Sequence, residues 1–227
     1  HLTYVPDIAA AGEVKTKPTQ HSVKELQSLG IQPDMLVLRT ERKLNKEILD
    51  KVALFCNVEH GAVMQSVDVT TIYEVPIMMQ RQGMDEILLR KLNLPHGEAS
   101  KMEAWNAFLQ KRKDAKKVVN IKLVGKYAEL PDAYKSITES LSQAAIYNNR
   151  KLELDLYQSD KINSENVSEL LGKADGIIVA PGFGQRGIDG KFEALKYARE
   201  NDIPTFGICL GMQCMVIEYA RSVLHLE

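Results

Sequence analysis

The sequence predicts an α/β protein with mainly parallel sheets, on three observations. Short apolar or alternating runs interleave with segments of helical periodicity through the second half of the 227 residues, a pattern that implies right-handed crossovers onto a parallel sheet. One run, Gly176-Ile177-Ile178-Val179-Ala180, is almost wholly apolar and stops at Pro181-Gly182, as a strand covered on both faces does. The length, at about 150 residues per domain, allows between one and two domains.

In chain order, Ser22 to Leu29 reads as a helix closed by Gly30, and Met35 to Arg39 as a strand after a Gln32-Pro33-Asp34 turn. Asn45 to Cys56 is expected to be helical, Ala62 to Met64 a short strand, and Tyr73 to Gln82 and Met84 to Leu92 helices parted by Gly83. Leu94-Pro95-His96-Gly97 interrupts the pattern, and Ser100 to Lys117 is helical with a basic end, read as an interdomain helix and linker. Val118 to Val124 is a β-branched strand ending at Gly125, followed by a helix from about Asp132 to Tyr147 with Pro131 and Asp132 as start signals. Leu152 to Tyr157 alternates with period two. After the Gly176 run come a helix over Lys191 to Asn201, a strand over Pro204 to Ile208 and a helix over Met212 to Leu224. The resulting division is 1–95, a linker at 96–117, and 118–227.

Composition narrows the function classes. Hydrophobic residues at 44% and charged residues at 26% argue against disorder, collagen-like sequence and a disulfide-dense mini-protein. Twenty-nine Lys and Arg against 30 Asp and Glu leave no basic excess for nucleic acid. No apolar run approaches the roughly 18 residues of a membrane span, so neither nucleic acid nor membrane is an expected partner. The opening His1-Leu2-Thr3-Tyr4-Val5-Pro6 is not a signal peptide and lacks an initiator Met, so the chain is expected to begin inside a larger protein. Cys56, Cys209 and Cys214 form no CxxC pair, which fits a reducing cytoplasm.

Gly207-Ile208-Cys209-Leu210-Gly211 has the form G-x-C-x-G between a strand and a helix, the context of a nucleophile elbow with Cys in place of Ser. A tight turn needs small residues beside the nucleophile. The helix start favours a thiolate, and the Leu210 N–H is placed to hold an oxyanion. The chemistry would be acyl transfer through a thioester. The alternative is a buried cysteine at a strand–helix junction, the reading preferred for Cys214 and Cys56. A general base is harder to find. His225 lies at the far end of the next helix, and His21, His60 and His96 have no carboxylate partner evident from sequence.

Gly182, Gly184 and Gly187 imitate a dinucleotide fingerprint, but no acidic residue ends a strand about 20 residues on. The loop fits better beside the elbow at the carboxyl edge of the sheet, where Gly182 could lend a second N–H to the oxyanion. A plain glycine-rich turn is the alternative. Farther up the chain, Gly12 to Ser22 carries Lys15, Thr16, Lys17, Thr19 and Gln20. Pro18 is expected to hold part of this segment extended before a helix at about Ser22. Ammonium groups next to a helix N-terminus suit phosphate; an exposed polar loop is the competing reading. No ATP P-loop motif is present.

Several strings taken together resemble the CTP synthase family, glutamine-dependent ligases that aminate UTP using ATP. They are Lys15-Thr16-Lys17-Pro18-Thr19-Gln20-His21-Ser22, Gly30-Ile31-Gln32-Pro33-Asp34, Ala53-Leu54-Phe55-Cys56-Asn57-Val58, Leu130-Pro131-Asp132-Ala133-Tyr134-Lys135-Ser136 and Gly207 to Gln213. The resemblance implies two incomplete parallel-sheet α/β domains: the carboxyl-terminal part of a P-loop-type synthetase domain and the amino-terminal part of a class I glutamine amidotransferase domain. It implies that Lys15, Thr16, Lys17, Thr19, Gln20 and Lys51 bind UTP, and CTP as inhibitor. Cys209 becomes the glutamine-attacking nucleophile, Gly182 and Leu210 the oxyanion donors, and Gln213 a glutamine contact. It further implies ATP and Mg²⁺ held outside this segment, with no metal ligands within it, GTP as activator, and a homotetramer. The chain departs from the family pattern Pro-Gly-Gly-Phe-Gly: Ala180-Pro181-Gly182-Phe183-Gly184 has proline for one glycine and so lacks one N–H. The amino-terminal P-loop and the distal His and Glu of the triad are missing, so the isolated chain is expected to be inactive. Another class I amidotransferase, or a non-catalytic nucleotide-binding or assembly module, are the other readings.

Overall fold

The computed structural model describes residues 1–8, 13–95 and 101–226. Gly12, His96 and the opening of the expected linker at 96–100 lie outside the described residues. The chain divides into two compact units, His1–Leu109 and Gln110–Glu227, each with its own parallel sheet.

In the first unit, β1 (Leu2–Tyr4), β4 (Leu36–Thr40) and β5 (Val63–Val67) form a parallel sheet in the order β1-β4-β5. Leu2 pairs with Val37, and Leu36 with Val63. β2 (Asp7–Ile8) and β3 (Glu13–Val14) pair antiparallel beside it. The core gathers Val5, Val23, Leu36, Leu38, Val52, Ala53 and Met64, so α1 (Lys17–Ser28) and α2 (Lys46–Phe55) bury their apolar faces on the strands. Asn45 caps α2: its Oδ1 accepts from the Ile48 N–H at 2.9 Å. α3 (Val75–Gln80) and α4 (Met84–Lys91) flank Gly83, whose φ of 74° suits glycine.

The structure corrects the start of α1. It begins at Lys17 rather than near Ser22, and Pro18 sits within its first turn rather than holding an extended segment. An N–H in the first helical turn has no intrahelical acceptor, and proline's fixed φ is already helical, so Pro18 starts the helix. Strands β1, β2 and β3 were not expected either; at two or three residues each they carry no periodicity to read. The segment read as a linker holds α5 (Glu103–Asp114). Its Trp105, Phe108 and Leu109 pack with Tyr73 and Ile77, and Trp105 Nε1 donates to the Tyr73 carbonyl at 2.8 Å.

The second unit holds a four-stranded parallel sheet, β7-β6-β8-β9, built from β6 (Lys117–Gly125), β7 (Arg150–Gln158), β8 (Gly176–Val179) and β9 (Thr205–Gly207). Alternation along β6 splits its side chains between two cores. Leu123 faces Tyr134 and Ile137, at and just beyond the start of α6 (Lys135–Tyr147). Val124, with Ile177 and Val179, faces α7 (Val167–Leu171), α8 (Ile188–Glu200) and α9 (Leu210–Ser222). The sheet is therefore covered on both sides, as the apolar Gly176 run required. Strand order reverses at β6, and crevices at the carboxyl ends of such sheets are where ligands bind.

Candidate active site

Register brings three loops to one edge of the second sheet. Val124 of β6 pairs with Val179 of β8, which pairs with Gly207 of β9. Lys126, the Ala180–Gly187 loop and Cys209 leave from those strand ends side by side. The expected location of the glycine loop beside the elbow is therefore what the topology produces.

Cys209 is the N-cap of α9, with φ 52° and ψ −110°. A non-glycine residue in such a conformation costs roughly 1–3 kcal/mol and persists only where its surroundings over-determine it. Here they do. The Ile208 N–H donates to the Val179 carbonyl at 3.0 Å, and the Gly211 N–H to the Ile208 carbonyl at 2.9 Å. A β-carbon on Gly211 would stand 2.0 Å from the Val179 carbonyl oxygen, and one on Gly207 would stand 2.5 Å from the Met212 nitrogen. Both glycines of G-x-C-x-G are thus sterically required, and Cys209 is left exposed at a helix start while Cys56 and Cys214 are buried. Burial raises the thiol pKa of both buried cysteines, which keeps them protonated and inert.

Leu210 opens α9, so its N–H has no intrahelical acceptor and is available to an oxyanion. Gly182 lies next to it: a β-carbon there would be 3.8 Å from Leu210 Cδ2 and 3.7 Å from Lys191 Nζ. Cations tie the loop down. Lys126 Nζ donates to the Phe183 carbonyl at 2.5 Å, Lys191 Nζ to the Ala180 carbonyl at 2.7 Å, and Arg186 to Asp160 at 2.7 Å and to the Lys126 carbonyl at 3.2 Å. Gln213, one turn into α9, donates its N–H to the Cys209 carbonyl at 3.1 Å, which places it on the elbow. His225 lies beyond the carboxyl end of α9, a helix about 20 Å long at 1.5 Å per residue, and cannot serve the thiol.

The residues expected to bind nucleotide separate in the first unit. Thr16 and Lys51 line one cavity of about 390 Å³ together with Arg42, Lys43 and Asn45. Thr19 is fully buried; its Oγ1 lies 3.1 Å from Thr3 Oγ1 and donates to the Tyr4 carbonyl at 3.4 Å. Gln20 Nε2 donates to Thr16 Oγ1 at 3.3 Å. Lys15 and Lys17 flank the start of α1 and do not line the cavity. Arg42 is held by Asp7 through two contacts of 2.7 and 2.8 Å. The loop carrying it is fixed where Gln65 Oε1 accepts from the Leu44 N–H at 2.7 Å. Arg42 and Lys43 were missed in the sequence; the available signal was a pair of adjacent cations two residues past the carboxyl end of a parallel strand. His60 pairs with Asp50 at 3.2 Å, a partner the sequence did not reveal.

The second unit thus holds a strained cysteine between glycines over a glycine loop at the edge of a parallel sheet, and residues 129–227 match the family model for class-I glutamine amidotransferase. Residues 1–94 match that for the CTP synthase N-terminus. The chain is 66% identical to the CTP synthase of Porphyromonas gingivalis and 62% identical to that of Bacteroides fragilis, each over 224 residues, 99% of this chain and 42% of the relative. The chain spans less than half the length of these curated relatives. A solved structure of the Trypanosoma brucei CTPS glutaminase domain with bound acivicin aligns at 38% identity, covering 47% of this chain and 42% of that one, with a TM-score of 0.44.

Proposed function

We propose that the chain is the central portion of a glutamine-hydrolysing CTP synthase: the carboxyl-terminal part of the synthetase domain, a connecting helix, and the amino-terminal part of the amidotransferase domain. The observation that carries this is the exposed Cys209, held at positive φ at the start of α9 beside Gly182. The Cys209 thiolate attacks the side-chain amide carbon of glutamine, and the carbonyl electron pair moves onto oxygen. The Leu210 and Gly182 N–H groups receive that oxyanion. Collapse expels the nitrogen, protonated as ammonia, and leaves a thioester that water cleaves to glutamate. A histidine and a glutamate from outside this sequence serve as the acid–base partners.

The Thr16–Lys51 cavity, with Arg42 and Lys43 at its wall, suits the triphosphate of UTP, or of CTP as inhibitor. Lys15 and Lys17 add positive charge at the start of α1, Gln20 braces Thr16, and the buried Thr19 supports that turn from within rather than touching the nucleotide. Among the described residues no group of three or more His, Cys, Asp or Glu could hold a metal ion. The family resemblance assigns ATP and Mg²⁺ to other parts of the longer protein, and no step here runs through them. GTP activation, a homotetramer and a cytoplasmic setting belong to the same reading. Among the described residues no helix is long and apolar enough to cross a membrane.

Labelling with 6-diazo-5-oxo-L-norleucine, a reactive glutamine analogue, tests the elbow. Mass spectrometry should find the label on Cys209 and not on Cys56 or Cys214, with free glutamine protecting. Labelling indifferent to glutamine would refute the amidotransferase reading. In a calorimetric titration with UTP, Lys51→Ala should weaken binding by about tenfold, the loss of one charge-assisted contact of about 1.4 kcal/mol; unchanged affinity would remove Lys51 from the site.

A further inference from the structure

The reaction as written leaves a buried charged group beside the elbow unused. Lys191 stands in the first turn of α8 and is 1% exposed. A buried ammonium is costly unless it is paired, yet its hydrogen-bond acceptor is a backbone carbonyl, that of Ala180, at 2.7 Å. The groups facing it come from every neighbouring element: Gly182 from the glycine loop, Cys214 from α9, Lys126 from the end of β6, and Cys209 from the elbow. Burial lowers its proton affinity, Cys214 and Cys209 work against that fall, and Lys126 adds to it. An apolar side chain would fill the same space without the desolvation.

We propose that Lys191 is a positioning residue for the Cys209 chemistry. Its ammonium pins the Ala180 carbonyl from beneath, keeps Gly182 against Leu210, and fixes a positive charge under the place where thiolate and oxyanion form. Pro181 makes this anchoring more consequential. Proline has no N–H, so position 181 cannot serve an oxyanion and the donor at Gly182 has to be held in place. The inference rests on Cys209 being the nucleophile, but its test needs no glutamine.

Alkylation of Cys209 by iodoacetamide, followed across about pH 6–10 on the Cys209 peptide, reads the coupling directly. Lys191→Met removes both the charge and the donor; Lys191→Gln removes only the charge. Both should move the pH profile to the alkaline side and slow alkylation at neutral pH by about three- to tenfold. Hydrogen exchange over 180–187 should quicken in Lys191→Met and not in Lys191→Gln. A profile superimposable on that of the unaltered chain in both variants overturns the proposal. Should either variant fail to fold, the reciprocal measurement decides, because coupling between two sites acts equally in both directions. In Cys209→Ser, the NMR titration of Lys191 must move to lower pH, and an unmoved titration overturns the proposal. Loss of glutamine-protected labelling with these shifts intact would refute the amidotransferase reading instead.

Discussion

At the scale of single residues, the elbow was legible because its glycines are forced. G-x-C-x-G after an apolar strand has few geometric solutions, and the contacts a β-carbon would make at Gly207 and Gly211 show why. Gly211→Ala should therefore destabilise the second unit by about 2–4 kcal/mol, since the Val179 carbonyl is backbone and cannot swing aside. Chemical denaturation would measure it; a loss below about 0.5 kcal/mol would mean that the elbow has room to relax. Lys191 was not legible. In sequence it is one lysine at the start of an amphipathic helix, where a solvated charge is the ordinary outcome, and only the tertiary fold seals it. Thr19 misleads in the opposite sense. It sits in a polar string that reads as surface, yet its hydroxyl is turned onto Thr3 and the Tyr4 carbonyl.

At the scale of elements, long periodic segments were readable and short ones were not. The helices at 135–147 and 188–200 and the strand at 117–125 carry enough residues for a pattern to emerge. The three-residue β1 exists because it pairs with β4 some 35 positions away in sequence, a fact that no local window contains. Pro18 was misjudged because proline fits both an extended stretch and a first helical turn. Packing between elements adds a pH dependence. Arg199 of α8 donates to both carboxylate oxygens of Glu218 on α9, at 3.1 and 2.8 Å, and these bonds hold the Glu218 carboxyl below its ordinary range. A depressed folded-state pKa means a contribution fully present above the unfolded value of about 4.3 and lost as pH falls through the folded one. Melting temperature should therefore drop more steeply below about pH 4.3 in the unaltered chain than in Glu218→Gln. Parallel curves would show that the pair adds nothing to acid stability.

At the scale of the whole molecule, the fold class was readable from strand–helix alternation in the second half, and the first half followed the same plan with weaker signals. Each unit encloses its own core. Leu38, fully buried in the first, should cost about 2–5 kcal/mol when cut to alanine. Calorimetry should record that loss while iodoacetamide still reaches Cys209 at the unaltered rate. A changed rate would show that the elbow depends on the first core.

The backbone at position 209 carries one more implication. An L-residue with φ 52° and ψ −110° stands where glycine would rest without penalty, so the most robust version of this polypeptide is one that has discarded its sulfur. Selection for heat resistance alone would erode the elbow, and only a demand for turnover keeps a side chain on that peptide.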